Sequence, residues 1–133
     1  MRIVLDTNCL VVILPKKSLY RKIFDLIRTG KIKLAVTTEI LSEYEEILTN
    51  FYSFGVAQNV IRFITELQNT ELITVYYNWN LIAKDVDDNK FVDCYVSANA
   101  DFIVTDDKHY KVLDKLEFPI VKHIKLSEFL KII

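Results

Sequence analysis

Glycine and proline are scarce in this chain, with two of each in 133 residues. Gly30 and Gly55 are too few for the phosphate-cradling loops G-x-x-x-x-G-K and G-x-G-x-x-G. Turns fall instead to asparagine, aspartate, serine and lysine. Cysteine and histidine also number two each. Cys9 and Cys94 lie inside apolar patterns and read as buried free thiols. His109 and His123 have no ligand spacing to any partner, so neither a zinc site nor a catalytic histidine is expected. No Ser-His-Asp set is present. There is no run of about 18 apolar residues, hence no expected membrane span. No basic segment precedes an apolar one at the start, so no secretory leader is expected and a cytoplasmic location is. Basic residues number 17 and acidic residues 18, a net charge of −1. The basic excess of a passive nucleic-acid coat is therefore missing. An enzyme that reaches nucleic acid through cations held by clustered acids is not excluded.

What is present is an ordinary soluble composition, 51% hydrophobic and 26% charged. The length predicts one domain over residues 1–133 with a sizeable core. Ile3-Val4-Leu5 is short and rich in β-branched residues, so it predicts a buried strand. A short helix or turn follows and stops near Pro15. Ser18 is a cap for a helix over 19–29, ended by Gly30. A second strand is expected at 31–36. Ile40, Leu41, Tyr44, Ile47, Leu48 and Phe51 then mark one apolar helical face, with Thr37 or Thr38 as its cap. Gly55 separates that helix from another over 56–69. A strand is expected at 72–76, followed by the aromatic group Tyr76, Tyr77 and Trp79. An acidic loop at 85–89 runs into a helix, a strand covers 100–105, and a helix near 109–116, a strand at 119–121 and a helix from Ser127 close the chain. Strands alternating with helices imply α/β, a mainly parallel sheet with right-handed crossovers.

The chemistry-bearing residues fall at the ends of these elements. Asp6 follows the first strand, where an open α/β sheet binds its ligands. A helix cap is the competing reading for Asp6. Glu43 lies roughly 95° from the centre of its helix's apolar stripe, at the border of the buried face. Asp87 and Asp88 open a helix, where the dipole favours carboxylates. Asp106-Asp107 ends the fourth strand. Parallel strands would gather Asp6, Glu43, Asp88 and Asp106 or Asp107 at one edge. Carboxylates that close do not all ionise without cations. Oxygen ligands suit Mg²⁺ or Mn²⁺, and such ions promote phosphodiester hydrolysis.

These stretches together resemble the PIN domain, and most of all the toxin components of toxin–antitoxin systems related to VapC-type ribonucleases. The carriers are Asp6-Thr7-Asn8, Glu43, Asp87-Asp88-Asn89-Lys90-Phe91, and the run from Ala100 to Asp107. The resemblance implies a three-layer α/β/α sandwich and a metal-dependent endoribonuclease. It implies Asp6, Glu43, Asp88 and Asp107 as the catalytic quartet. The metal would lie on Asp6, Asp88 and Asp107, with Glu43 and Asp93 as further candidates. Asn8, Thr105 and Asp106 would support the acids, and Asp107 is favoured over Asp106 to face the metal. Lys90 is a candidate phosphate contact. An RNA substrate, an antitoxin and a homodimer are the implied partners. The alternative reading is a non-catalytic PIN-like module for nucleic-acid binding or protein interaction.

Overall fold

The computed structural model describes residues 1–133. Strand β1 (Arg2–Leu5) carries Ile3, Val4 and Leu5 with no exposed surface. Helices α1 (Thr7–Ile13) and α2 (Arg21–Arg28) lead to β2 (Lys33–Val36). Helices α3 (Thr38–Phe51) and α4 (Phe54–Glu66) lead to β3 (Thr70–Leu72). A long connection and a 3-10 turn at Val86–Asp88 open α5 (Asn89–Ala98), then β4 (Phe102–Val104). A 3-10 stretch at Lys108–Lys115 precedes β5 (His123–Ile124) and α6 (Leu126–Ile132). The five strands are all parallel, in the order β3-β2-β1-β4-β5.

The order has a consequence for function. From β1 the chain steps one way to β2 and β3, then returns past β1 to β4 and β5. Right-handed crossovers put α1 to α4 on one face and α5 on the other, an α/β/α sandwich. Accordingly α1 packs on α2 and α3, and α3 on α4, while α5 lies against β1, β2 and β4. The order reverses between β1 and β4, the place where such sheets bind ligands beyond their carboxyl ends. The core beneath that point is apolar, with Tyr44 and Tyr110 as its largest buried side chains, while Asp6, Thr7, Asp88 and Thr105 are buried polar residues at its edge. Tyr44 donates its hydroxyl to the Leu5 carbonyl, which ties α3 to the end of β1.

Several boundaries differ from the sequence reading. Helix α2 begins at Arg21, because the Ser18 hydroxyl accepts the Tyr20 N–H and closes a turn before it, leaving Leu19 exposed. Gly30 follows this helix with φ 83°, as a left-handed stop requires. Gly55 lies inside α4; the break falls at Tyr52–Ser53, and Ser53 caps the helix by accepting the Val56 N–H. Strand β3 is earlier than expected, at Thr70–Leu72, in register with Leu34–Val36. Ile73 still donates its N–H to the Val36 carbonyl at 2.7 Å and packs on the core, but the chain then leaves the sheet, and Tyr76 is 92% exposed. The last strand sits at His123–Ile124, because Ile103 and Thr105 donate to the Lys122 and Ile124 carbonyls. The expected helix at 109–116 is 3-10 throughout.

Candidate metal centre at the switch point

Asp6 stands at the helix-cap position of α1 but makes no side-chain cap. Its Oδ2 instead accepts the Thr105 hydroxyl at 2.6 Å, and its backbone N–H donates to Val104 at 3.0 Å. The register of β1 on β4, Leu5 opposite Val104, is what sets these two residues side by side. Burial pushes the Asp6 carboxyl up, against the hydrogen bonds from Thr105 and Thr7, and the charges of Asp107 and Glu43 push it further. Asp6, Glu43 and Asp107 are thus electrostatic neighbours although they are far apart in the chain.

Glu43 faces inward from α3. The Thr7 hydroxyl donates to its Oε2, and Lys90 Nζ pairs with its Oε1 at 2.7 Å. Lys90 is therefore engaged with an acid, and its side chain is only 14% exposed. The hydroxyl that reaches the acid is that of Thr7; Asn8 beside it is exposed.

Asp88 closes the 3-10 turn before α5 and is buried. Asn89 fixes that turn by exchanging two 2.9 Å hydrogen bonds with the backbone of Ile82. The Asp88 Oδ2 is buried with no hydrogen-bond partner. Burial, then the adjoining Asp107 carboxylate, then the charges of Asp85 and Asp6 push the Asp88 carboxyl up to about 8. Asp107 begins the 3-10 stretch after β4, and its Oδ1 accepts the His109 N–H at 2.8 Å. Asp106 turns the other way, where its Oδ1 accepts the Leu126 N–H and starts α6. The Thr105 hydroxyl accepts the Asp107 N–H at 3.0 Å, so one threonine orients both Asp6 and Asp107.

Ligand atoms of Asp85, Asp88, Asp107 and His109 all lie within 4.8 Å of one another. Sequence patterns assign Asp85 no role and His109 no ligand spacing, yet the fold brings both beside Asp88 and Asp107. His109 sits two positions after Asp107, and only the 3-10 geometry turns its ring back toward the acids. Asp93 is not in this group. Its carboxylate accepts the Trp79 N–H at 2.9 Å and lines a separate cavity with Thr37, Glu39 and Lys90. Burial raises its pKa in spite of that hydrogen bond. Asp87 is exposed. Cys9 and Cys94 are free, buried thiols.

His109 also borders a cleft of about 780 Å³ lined by Lys84, Lys108, Lys111 and Lys115 over Leu81 and Val112. None of these lysines forms an ion pair. The carboxyl edge of the sheet thus carries unneutralised acids, with a basic cleft adjoining them.

The family model described as PIN domain matches residues 2–109, from β1 through the acid pair after β4. The chain belongs to the PIN domain family. No curated protein matches it. Among solved structures, this PIN domain is similar to VapBC2 from Rickettsia felis bound to a DNA fragment from its promoter. That match has 17% identity and a TM-score of 0.64, and covers 94% of this chain and 98% of the other. It is similar to VapBC-1 from nontypeable Haemophilus influenzae at 13% identity and TM-score 0.61, covering 96% and 99%. It is also similar to the PIN domain endonuclease Utp24 at 14% identity and TM-score 0.55, covering 93% and 84%. These likenesses show the PIN fold over almost the whole chain. No helix of this PIN domain is long and apolar enough to cross a membrane.

The residues present fit a divalent cation. A buried carboxylate oxygen without a partner forfeits its hydration for nothing, which costs about 1–3 kcal/mol or more for a charged group. Asp88 carries such an oxygen next to two further carboxylates. A hard cation satisfies it and neutralises its neighbours.

Proposed function

We propose that this PIN domain is a metal-dependent endoribonuclease, the toxin of a toxin–antitoxin pair. The observation that carries the reading is the unpartnered, buried Asp88 oxygen among Asp85, Asp107 and His109 at the switch point. Asp88 and Asp107 would hold a Mg²⁺ or Mn²⁺ ion, with Asp6 directed at it by Thr105. Such an ion, when bound, makes a water more acidic and offsets charge on a phosphodiester. Glu43, braced by Thr7 and Lys90, would orient the attacking water or hold a second ion. Asp93 has no place in that first group, and its bond to Trp79 supports a role in anchoring the connection before α5.

RNA enters this reading through the resemblance and through the basic cleft. Its four unpaired lysines supply phosphate contacts beside the acids, and Lys90 is held by Glu43. An antitoxin partner and a homodimer belong to the same reading. The likeness to the two VapBC structures supports the former. The exposed rings of Tyr76, Tyr77 and Phe118 support a protein contact.

The test is cleavage of a single-stranded RNA pool with Mn²⁺ or Mg²⁺, set against the matched DNA pool. Internal cuts in RNA that vanish with a chelator and in Asp107→Asn are expected. RNA binding without cleavage under either ion would replace this reading by the non-catalytic module.

A further inference from the structure

We infer that His109 supplies a nitrogen ligand to the divalent-ion site, making it a mixed centre of Asp85, Asp88, Asp107 and His109 that favours Mn²⁺ over Mg²⁺. The inference rests on the metal-site reading above and extends it to two residues outside the acidic quartet.

The geometry comes from two orphaned atoms. Across the chain, four buried side-chain polar atoms lack a hydrogen bond: Arg2 Nε, Thr70 Oγ1, Asp88 Oδ2 and His109 Nδ1. Arg2 Nε is 2.8 Å from Glu71 and so is charge-paired. Asp88 Oδ2 and His109 Nδ1 lie 4.0 Å apart, and His109 Nδ1 is 3.3 Å from Asp107 Oδ1. Two ligands each about 2.1 Å from a shared ion stand roughly 3 to 4 Å apart. The separations fit a common ion and are too long for a direct bond from Nδ1 to Asp88.

The local fold accounts for the placement. Asp107 accepts the His109 backbone N–H, so the 3-10 turn bends the imidazole back over the carboxylate that starts it. Asp85 reaches the same point because it begins the other 3-10 turn, which Asn89 pins to Ile82. His123 shows the contrast. Its Nε2 is 2.7 Å from Asp114, an ordinary surface pair.

Ligand chemistry then sets the preference. Mg²⁺ favours oxygen donors and keeps its waters, whereas an imidazole raises affinity along the first-row series. Three carboxylates keep the site hospitable to Mn²⁺, and one nitrogen tilts it away from Mg²⁺.

The test is electron spin-echo modulation of the Mn²⁺-loaded protein, which reads ligand nitrogen directly and needs no variant. A ¹⁴N modulation is expected in the wild type. It should change to the ¹⁵N pattern in protein labelled with [¹⁵N]histidine, vanish in His109→Gln and persist in His123→Gln. Calorimetry should show Mn²⁺ affinity falling by at least about 10-fold in His109→Gln, the lower end of the cost of losing even an outer-shell partner, with Mg²⁺ affinity falling less. Bound Mn²⁺ with no nitrogen modulation would overturn the inference and leave an all-carboxylate site, with His109 as a counter-ion. A folded wild type that takes up no Mn²⁺ would overturn both the inference and the metal-site reading beneath it.

Discussion

Lys90 Nζ and Glu43 Oε1 lie 2.7 Å apart, joining α5 to α3 across the carboxyl edge of the sheet. The Thr7 hydroxyl donates to the other oxygen of the same carboxylate. Truncating one partner of such a half-buried pair strands the other. Lys90→Met is expected to destabilise by about 1–3 kcal/mol, the cost of an unsatisfied polar group. Glu43→Gln should cost less, since an amide still accepts from Thr7 or Lys90. Urea unfolding of both variants checks the order, and equal stability of Lys90→Met and wild type would remove the brace.

The Asp88 carboxyl gives the metal-free fold a pH dependence of defined sign. Its pKa is about 8 in the fold against an ordinary 3.8, so between those values the folded state holds the extra proton. Its contribution is fully present below the ordinary value and is lost as pH rises through about 8. Melting temperature measured in chelator should therefore fall across that window. Asp88→Asn cannot ionise, so its loss should be smaller and its advantage over wild type greatest near pH 9. A wild-type curve parallel to that of the variant would contradict the assignment.

Divalent ions should show the opposite trend. A cation binds the ionised carboxylate and releases the proton, so affinity rises with pH. The increase in melting temperature from Mn²⁺ is expected to be larger at pH 8 than at pH 6, and absent in Asp88→Asn. An increase independent of pH would place the ion elsewhere.

The basic cleft predicts a salt effect separable from catalysis. Each phosphate contact to a single strand adds about 0.7 to the slope of log affinity against log salt. Replacing Lys84, Lys111 and Lys115 with alanine should lower that slope by about 2, and Mn²⁺ binding should be unchanged. Fluorescence anisotropy with a labelled RNA oligomer and Asp107→Asn as the uncleaving background reads this. An unchanged slope would exclude the cleft as the RNA path.

The parallel sandwich and most of the acidic edge were legible in the sequence, since they depend on short-range patterns. Ile3-Val4-Leu5 before Asp6, and the apolar run before Asp106-Asp107, mark strand ends without knowledge of the fold. The stripe on α3 likewise places Glu43 at the buried border. That Asp106 turns away from Asp88 follows from a contact 20 residues along the chain, the Leu126 N–H that Asp106 accepts. The positions of His109 and Asp85 beside Asp88 and Asp107 were hidden because both depend on 3-10 turns, whose direction periodicity does not encode. Strand β3 was misplaced because Leu72–Tyr76 has the right residues for a strand but no partner to pair with beyond Val36. Propensity lost there to register.

One cation site, formed at the switch point between β1 and β4 by carboxylates far apart in the chain, is the core of the proposed function. Calorimetric titration of Mn²⁺ into the wild type and Asp88→Asn at pH 8 tests it most directly. Saturable binding to the wild type and none to a folded Asp88→Asn are expected. Equal binding by both, or no binding by a folded wild type, would contradict it.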